Sequence, residues 1–458
     1  MKKFDIIVIG SGAGSKITRP AANMGKTVAI IEKGRLGGTC LNHGCIPSKM
    51  LIHPADVATT IRHAHRFDIE VDPIKHVNFS NLVTRVNQTI DDESDSIKPL
   101  YNNHDNITLY PCHGRFISDY VIDVDGELIT ADQIFIVTGA RAHRPDISGL
   151  EMTPYLTYKE ALRMTTQPKS MIIIGGGYIA VELGHYFAAL GTDVTFVVRS
   201  ELIRQEDDDV RQEFHRVFSQ HHTVYDRWYP TQVKHEGNQF SVQITNSKDV
   251  KTLSAEHLFI ATGVVPNTDN IGLENTGVKT DSNGFIVVND RFETDIKGVV
   301  AFGDVVGRYL FRHSANFEGE YVFNEHVKQS THHPVDYPPI PHAIFTYPQV
   351  AGVGVTEQEL KHRGVDYVVG LNRYESSAMG MALRSDYGFV KVLFDRETRQ
   401  LVGAHIIGEE ASNMIHMCIA FMLMKATVDT MHQMVYVHPA LPEVVRNAVR
   451  KAIQQFDS

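Results

Sequence analysis

Cysteine is scarce in this chain. Its 458 residues include only four, Cys40, Cys45, Cys112 and Cys418. A secreted disulfide scaffold is smaller and far denser in cysteine, so that class is excluded. A basic surplus is also lacking: the net charge is −10, and a general nucleic-acid binder needs a basic face. No stretch approaches the roughly 20 apolar residues of a membrane span. The strand-like run from Phe4 to Ile9, behind Met1-Lys2-Lys3, is too short for a signal-peptide core and enters a glycine loop at once. The expectation is a cytoplasmic protein with no nucleic-acid or membrane partner. With 43% hydrophobic and 21% charged residues the chain is ordinarily globular. At about 100–200 residues per domain, two to four domains are expected.

What is present is a repeated motif. In FDIIVIGSGAGSKITRPAANMGKTVAIIEKG a buried strand feeds a loop containing Gly10, Gly12 and Gly14, then a helical stretch and a second strand ending at Glu32. Gly10 permits the tight turn, and Gly12 lets the backbone approach a pyrophosphate at the helix N-terminus. Ser15 stands at the third glycine position, which predicts slightly looser helix–strand packing. Glu32 is placed to accept hydrogen bonds from a ribose diol, with Lys33 beside it.

The second copy, KSMIIIGGGYIAVELGHYFAALGTDVTFVVRS, has Gly175 and Gly177 in its loop, with Ala180 at the third position. One glycine fingerprint is weak evidence; two, each in a full strand–loop–helix–strand setting, predict two dinucleotide sites. The ligands need not match. Measured from the glycine before each second strand, Glu32 in the first copy corresponds to Val198 in the second. Arg199, Ser200 and Arg204 follow. A carboxylate there would repel a 2′-phosphate and an arginine would pair with it, so the second site is expected to prefer NADPH, with NADH the other option. The plainer reading makes Arg199 and Arg204 solvated surface charges.

GGTCLNHGCIPSKM follows the first copy directly. Cys40 and Cys45 have four residues between them, and the spacing predicts a shared helix face with a thiol pKa lowered by the helix N-terminus. A structural disulfide and half of a zinc site compete with a redox role. The first is uncommon in the cytosol, and the second lacks a neighbouring ligand pair. No metal is expected. The paired histidines His221/His222 and His332/His333 read as solvated loop residues.

Together these segments resemble the flavoprotein pyridine nucleotide–disulfide oxidoreductases over essentially the whole length. GGTCLNHGCIPSK resembles the family's redox-active segment, and VTGA (Val137 to Ala140) and ATG (Ala261 to Gly263) its domain-crossing loops. TDIKGVVAFGD, ending at Asp304, resembles its second flavin motif, and HPALPE, His438 to Glu443, its catalytic His and Glu.

The resemblance implies an α/β fold: two Rossmann-like dinucleotide-binding domains plus an α+β dimerisation domain. The FAD-binding domain would span 1–149 and 267–335, the NAD(P)-binding domain 150–266, and the interface domain 336–458. FAD would be held by Gly10, Gly12, Gly14, Ser15, Glu32, Lys33, Gly38, Thr39, Thr138, Gly139, Gly303 and Asp304. The nicotinamide dinucleotide would meet Gly175, Gly177, Tyr178, Arg199, Ser200, Arg204 and Gly263, with Tyr178 as a gate. Lys49 and Glu182 would pair beside the flavin. Cys45 would face the flavin, Cys40 would attack substrate, and His438, oriented by Glu443, would move protons. In this family the histidine serves the other subunit's cysteines, which implies a homodimer with a shared active site.

Within the family, HPALPEVV and FRHSAN (Phe311 to Asn316) look most like mycothione reductase, an NADPH-driven reductase of a low-molecular-weight disulfide. The alternative is a dihydrolipoamide dehydrogenase working with NAD. The substrate's identity is not readable from these residues.

Overall fold

The computed structural model describes residues 1–456. Of five sheets among the described residues, three larger ones organise the chain. In the first, Val28–Ile31, Lys2–Ile9, Glu127–Ile136 and Val299–Ala301 run parallel, flanked by Ile107–Tyr110. A hairpin, Gly114–Ser118 and Val121–Val124, extends Glu127–Ile136 in the antiparallel sense. The parallel strands are buried on both faces, and so read as unbroken apolar runs such as IIVI. The helix Ser15–Asn23 packs on this sheet through Ile17 and, about one helical turn on, Ala21 and Ala22.

The second sheet repeats the plan with Thr223–Asp226, Asp193–Val198, Ser170–Ile174 and His257–Ile260, all parallel. A three-stranded antiparallel layer, Tyr229–Glu236, Gln239–Thr245 and Val250–Ala255, joins it. Between the two sheets the chain crosses twice, at Ala140–Ala142 and Val264–Pro266, and these two crossings pair with each other. The third sheet is antiparallel: Pro341–Ile344, Val350–Gly354, Leu401–Ile407, Phe389–Asp395 and Tyr367–Arg373. The helices Ala411–Leu423 and Pro442–Phe456 cover it through a core that includes Phe394, Ile406, Cys418, Val445 and Val449. The architecture is α/β with two Rossmann-like units and an α+β domain.

Two expectations fail here. Ser15 does not loosen the first loop. The close approach falls on Gly14 instead, where a Cβ would meet the Gly10 oxygen at 2.1 Å, and Ser15 Oγ donates to the Gly12 carbonyl at 2.9 Å. His222 is not solvated: its ring lies 4.1 Å from Phe218 and 5.5 Å from Phe196, and burial pulls it down to about 3. It behaves as an apolar ring closing the end of the helix Asp208–Phe218. Its neighbour His221 is exposed.

No helix among the described residues is long and apolar enough to cross a membrane.

Candidate active site

The two glycine loops solve one steric problem twice. At Gly10 (φ 109°) a Cβ would stand 2.3 Å from the Val137 oxygen; at Gly175 (φ 137°) it would stand 2.2 Å from the Ala261 oxygen. Each first glycine thus lies against the carbonyl where the neighbouring strand leaves its sheet, and only glycine fits. Glu32, at the end of its strand, accepts from Ser11 N (2.9 Å), Ser11 Oγ (2.8 Å) and Gly34 N (2.9 Å), which fixes the carboxylate beside the loop. Lys33 and Thr39 are exposed. Gly38 (φ 71°) would bring a Cβ to 2.5 Å from the Gly12 Cα, so the cysteine segment is pressed directly onto the first loop.

The geometry of the cysteine pair differs from the expected single helix. Cys40 lies in the short helix Gly38–His43. Gly44 (φ −142°, ψ −119°) breaks it, and Cys45 opens the 18-residue helix Cys45–Arg62. The helix N-terminal field therefore acts on Cys45. The pair is unbridged. The hydrogen bond between the two thiols pulls Cys45 down to about 7, with Lys49 assisting against burial, and it pushes Cys40 up. Cys45 is the thiolate of the pair and Cys40 keeps the proton. Cys112 is held up mainly by burial, as is Cys418, at about 12; both stay protonated.

The helix Cys45–Arg62 packs on the helix Tyr178–Ala189 from the second glycine loop. Lys49 Nζ meets the buried Glu182 at 2.7 Å and lies 4.5 Å from the centre of the Phe345 ring. The other Glu182 oxygen accepts from Phe345 N at 2.9 Å. A second bridge, His185 to Asp56 at 2.8 Å, fixes the same pair of helices. The expected Lys49–Glu182 pair is thus formed, on the turn that follows Cys45.

Asp304 follows Gly303 (φ 77°), and burial pushes its carboxyl up to about 6 against the pull of Arg312. It makes no hydrogen bond to the chain among the described residues, which suits an acceptor for ligand hydroxyls. Thr138 Oγ1 donates to the Asn267 carbonyl at 2.9 Å and Asn267 N donates to Gly139 O at 2.9 Å, tying the two crossings together. Gly263 O accepts from His143 N at 2.9 Å in the same place. The glycine cradle, Glu32 and Asp304 fit a dinucleotide such as FAD.

At the second site Gly177 has open space where a Cβ would go. Val198 is buried, and its side chain would meet a Cβ on Gly176 at 2.6 Å. Arg199 and Arg204 are exposed and Ser200 half-buried. Neither arginine has an ion-pair partner among the described residues. The carboxylate nearest Arg199 in sequence, Glu201, is already taken by Arg211 (2.7 Å) and Arg227 (2.8 Å).

His438 Nδ1 faces Glu443, which is buried at the start of the helix Pro442–Phe456. The His438 hydrogen bond holds Glu443 below the usual carboxylate range, helped by Ala440 N–H and by Arg446, 2.7 Å away. The histidine ring is itself exposed. No contact among the described residues brings it to Cys40 or Cys45. Two valines just before it are exposed, Val435 at 95% and Val437 at 75%, while Tyr436 between them is buried. The cysteine helix likewise exposes Ile46, Val57 and Ile61.

Sequence reasoning missed three participants. Glu206, fully buried, accepts from Tyr178 OH and lies 2.8 Å from His342 Nε2. Arg312, in the first turn of the helix Arg312–Val322, acts on both Cys40 and Asp304. Arg446 braces Glu443. An arginine two residues before the SAN of FRHSAN was visible, but nothing in the sequence aimed it at a cysteine far upstream.

Residues 4–319 match the family model for pyridine nucleotide-disulphide oxidoreductases, and residues 340–449 match that family's dimerisation domain. The chain is 35% identical to mycothione reductase of Mycobacterium tuberculosis over 98% of its length and 99% of the relative's. It is 33% identical to dihydrolipoyl dehydrogenase of Cupriavidus necator, covering 98% and 97% of the two chains. Among solved structures it is similar to the Escherichia coli HOCl-induced flavoprotein disulfide reductase RclA, with a TM-score of 0.85, 25% identity, and 98% and 99% of the two chains covered.

Proposed function

Because this chain belongs to the pyridine nucleotide-disulphide oxidoreductases, enzymes that use FAD and a nicotinamide dinucleotide, we propose that it is an NADPH-dependent reductase of a low-molecular-weight disulfide, similar in activity to mycothione reductase. The observation that carries the NADPH preference is the end of the strand Asp193–Val198. A buried valine stands where the first site has Glu32, and two unpaired arginines follow. Such a terminus attracts a 2′-phosphate and offers a ribose diol no acceptor.

FAD would be held by the Gly10–Gly14 loop, Glu32, Gly38 and Asp304. When bound, it supplies the two-electron couple between the nicotinamide and the cysteine pair. Lys49, ion-paired with Glu182, supplies positive charge beside Cys45. In the reduced pair Cys45 is the thiolate and Cys40 the protonated, substrate-facing thiol. His438 Nε2 takes the Cys40 proton, and Cys40 sulfur attacks one sulfur of the substrate disulfide. That S–S bond breaks, and the first leaving thiolate receives the proton from His438. Cys45 then attacks Cys40, re-forming the Cys40–Cys45 disulfide and expelling the second thiolate. Glu443 keeps Nδ1–H engaged, so Nε2 is the free acceptor, and it stabilises the imidazolium.

His438 lies outside the cysteine site of its own chain. We assign it to the cysteines of a second copy, in a homodimer built through the 340–449 domain. The apolar strip at Val435 and Val437 and the one at Ile46, Val57 and Ile61 suit burial in such a dimer. A cytoplasmic setting, where low-molecular-weight thiols are kept reduced, suits such a reductase. Dihydrolipoamide oxidation with NAD is the second reading, supported by the dihydrolipoyl dehydrogenase relative.

The C40S variant tests the assignment: it should lose disulfide turnover yet still be reduced at the flavin by NADPH. Retained disulfide turnover would overturn the role of Cys40.

A further inference from the structure

Tyr178 is the first residue of the helix Tyr178–Ala189, directly after the second glycine loop. One turn on, Glu182 holds Lys49 beside Cys45. The tyrosine ring therefore stands between the dinucleotide loop and the redox centre, where a nicotinamide must pass. The ring is not free. Its hydroxyl donates to Glu206, and burial together with the Glu206 charge holds the phenol well above its ordinary range, so it stays a donor.

Glu206 has no exposure at all. Burial opposes its charge, but His342 and Tyr178 outweigh that and keep the carboxyl below the usual range. His342 belongs to Pro341–Ile344, the first strand of the antiparallel domain, and its Nε2 lies 2.8 Å from the second Glu206 oxygen. The imidazole also lies nearly flat along Tyr178, centroids 6.0 Å apart at 25°, and Phe311 stacks on both rings. Behind His342 sits Gly352, where a Cβ would come within 2.6 Å of the imidazole, so the ring has little room to turn. The next residue, Asp207, is equally buried and grips Lys391 of the antiparallel domain at 2.8 Å, while Gln358 Nε2 donates to the Glu206 carbonyl at 2.9 Å.

We propose that Glu206, braced by His342, is a latch that holds the Tyr178 ring closed and ties nicotinamide entry to the antiparallel domain. Glu206 and His342 act through Tyr178 and are positioning residues. The inference rests on the second loop being the nicotinamide dinucleotide site. Opening the ring breaks a buried hydrogen bond to a charged acceptor, and a dinucleotide that binds only the open form loses apparent affinity by the open fraction. Releasing the latch should therefore tighten binding about tenfold. A fragment that ends before the nicotinamide should be indifferent to it.

The test is calorimetric titration of the FAD-loaded protein and its Y178F variant with NADP, NAD and 2′-phospho-ADP-ribose. Y178F keeps the ring and loses only the hydroxyl. The latch predicts a Kd about tenfold lower for the intact dinucleotide and an unchanged Kd for the fragment. An unchanged dinucleotide Kd, or an equal change for the fragment, would overturn it. E206A should act in the same direction, and the double variant should add nothing, because both remove one bond. The comparison is read with whichever dinucleotide binds more tightly, so a wrong cofactor preference and a wrong latch show up as separate results.

Discussion

His438 Nδ1 lies 3.0 Å from both carboxylate oxygens of Glu443. This bidentate placement fixes the ring and commits one nitrogen, leaving the other as the proton carrier. Replacing Glu443 with Gln keeps the size but removes the charge that stabilises the imidazolium. E443Q should reduce disulfide turnover on the order of 10²-fold. The rate at which NADPH reduces the flavin should hold, because that step does not use His438. Stopped-flow reduction alongside steady-state turnover checks both.

The cysteine pair gives a pH prediction with a definite sign. Cys45 is lowered from 9.0 to about 7, so its thiolate is populated above about pH 7 and lost as pH falls through that value. Alkylation of Cys45 by iodoacetamide in the reduced enzyme, located by mass spectrometry, should follow a midpoint near 7. In K49M the midpoint should move towards 9.0, because the cation is gone and Glu182 remains. Cys40, held up by the same hydrogen bond, should alkylate more slowly across this range.

Arg199 and Arg204 are the source of the proposed cofactor preference. Replacing both with Ala should raise the KM for NADPH by about 10- to 100-fold, the range of a lost charge-assisted pair. The KM for NADH should stay within about twofold, since NADH has no 2′-phosphate to lose. Initial-rate kinetics with both dinucleotides checks this; equal effects on the two would make the arginines ordinary surface charges.

Local patterns made much of the site legible in advance. Both glycine loops, the Lys49 that follows Cys45 by one turn, and the His438–Glu443 pair lie within short spans where spacing dictates contact. What the sequence concealed depends on tertiary contact. Glu206 and His342 lie 136 residues apart and meet only because the antiparallel domain docks beside the second loop. The Gly44 break was not legible because glycine within a helical pattern marks no end by itself; the chain folds back so closely there that a Cβ on Gly44 would stand 3.0 Å from the Thr39 oxygen. Ser15 misled for a similar reason: the close approach had moved one residue back, to Gly14.

The central claim is that this chain reduces a small disulfide at the expense of NADPH. One preparation of FAD-loaded protein should be assayed in two arms: NADPH oxidation with a panel of low-molecular-weight disulfides that includes mycothiol disulfide, and NAD reduction with dihydrolipoamide. The account predicts that kcat/KM in the first arm exceeds the second by at least about tenfold, one charged contact's worth of discrimination. A dominant second arm would contradict it and make the chain a dihydrolipoamide dehydrogenase whose arginines do not select the cofactor.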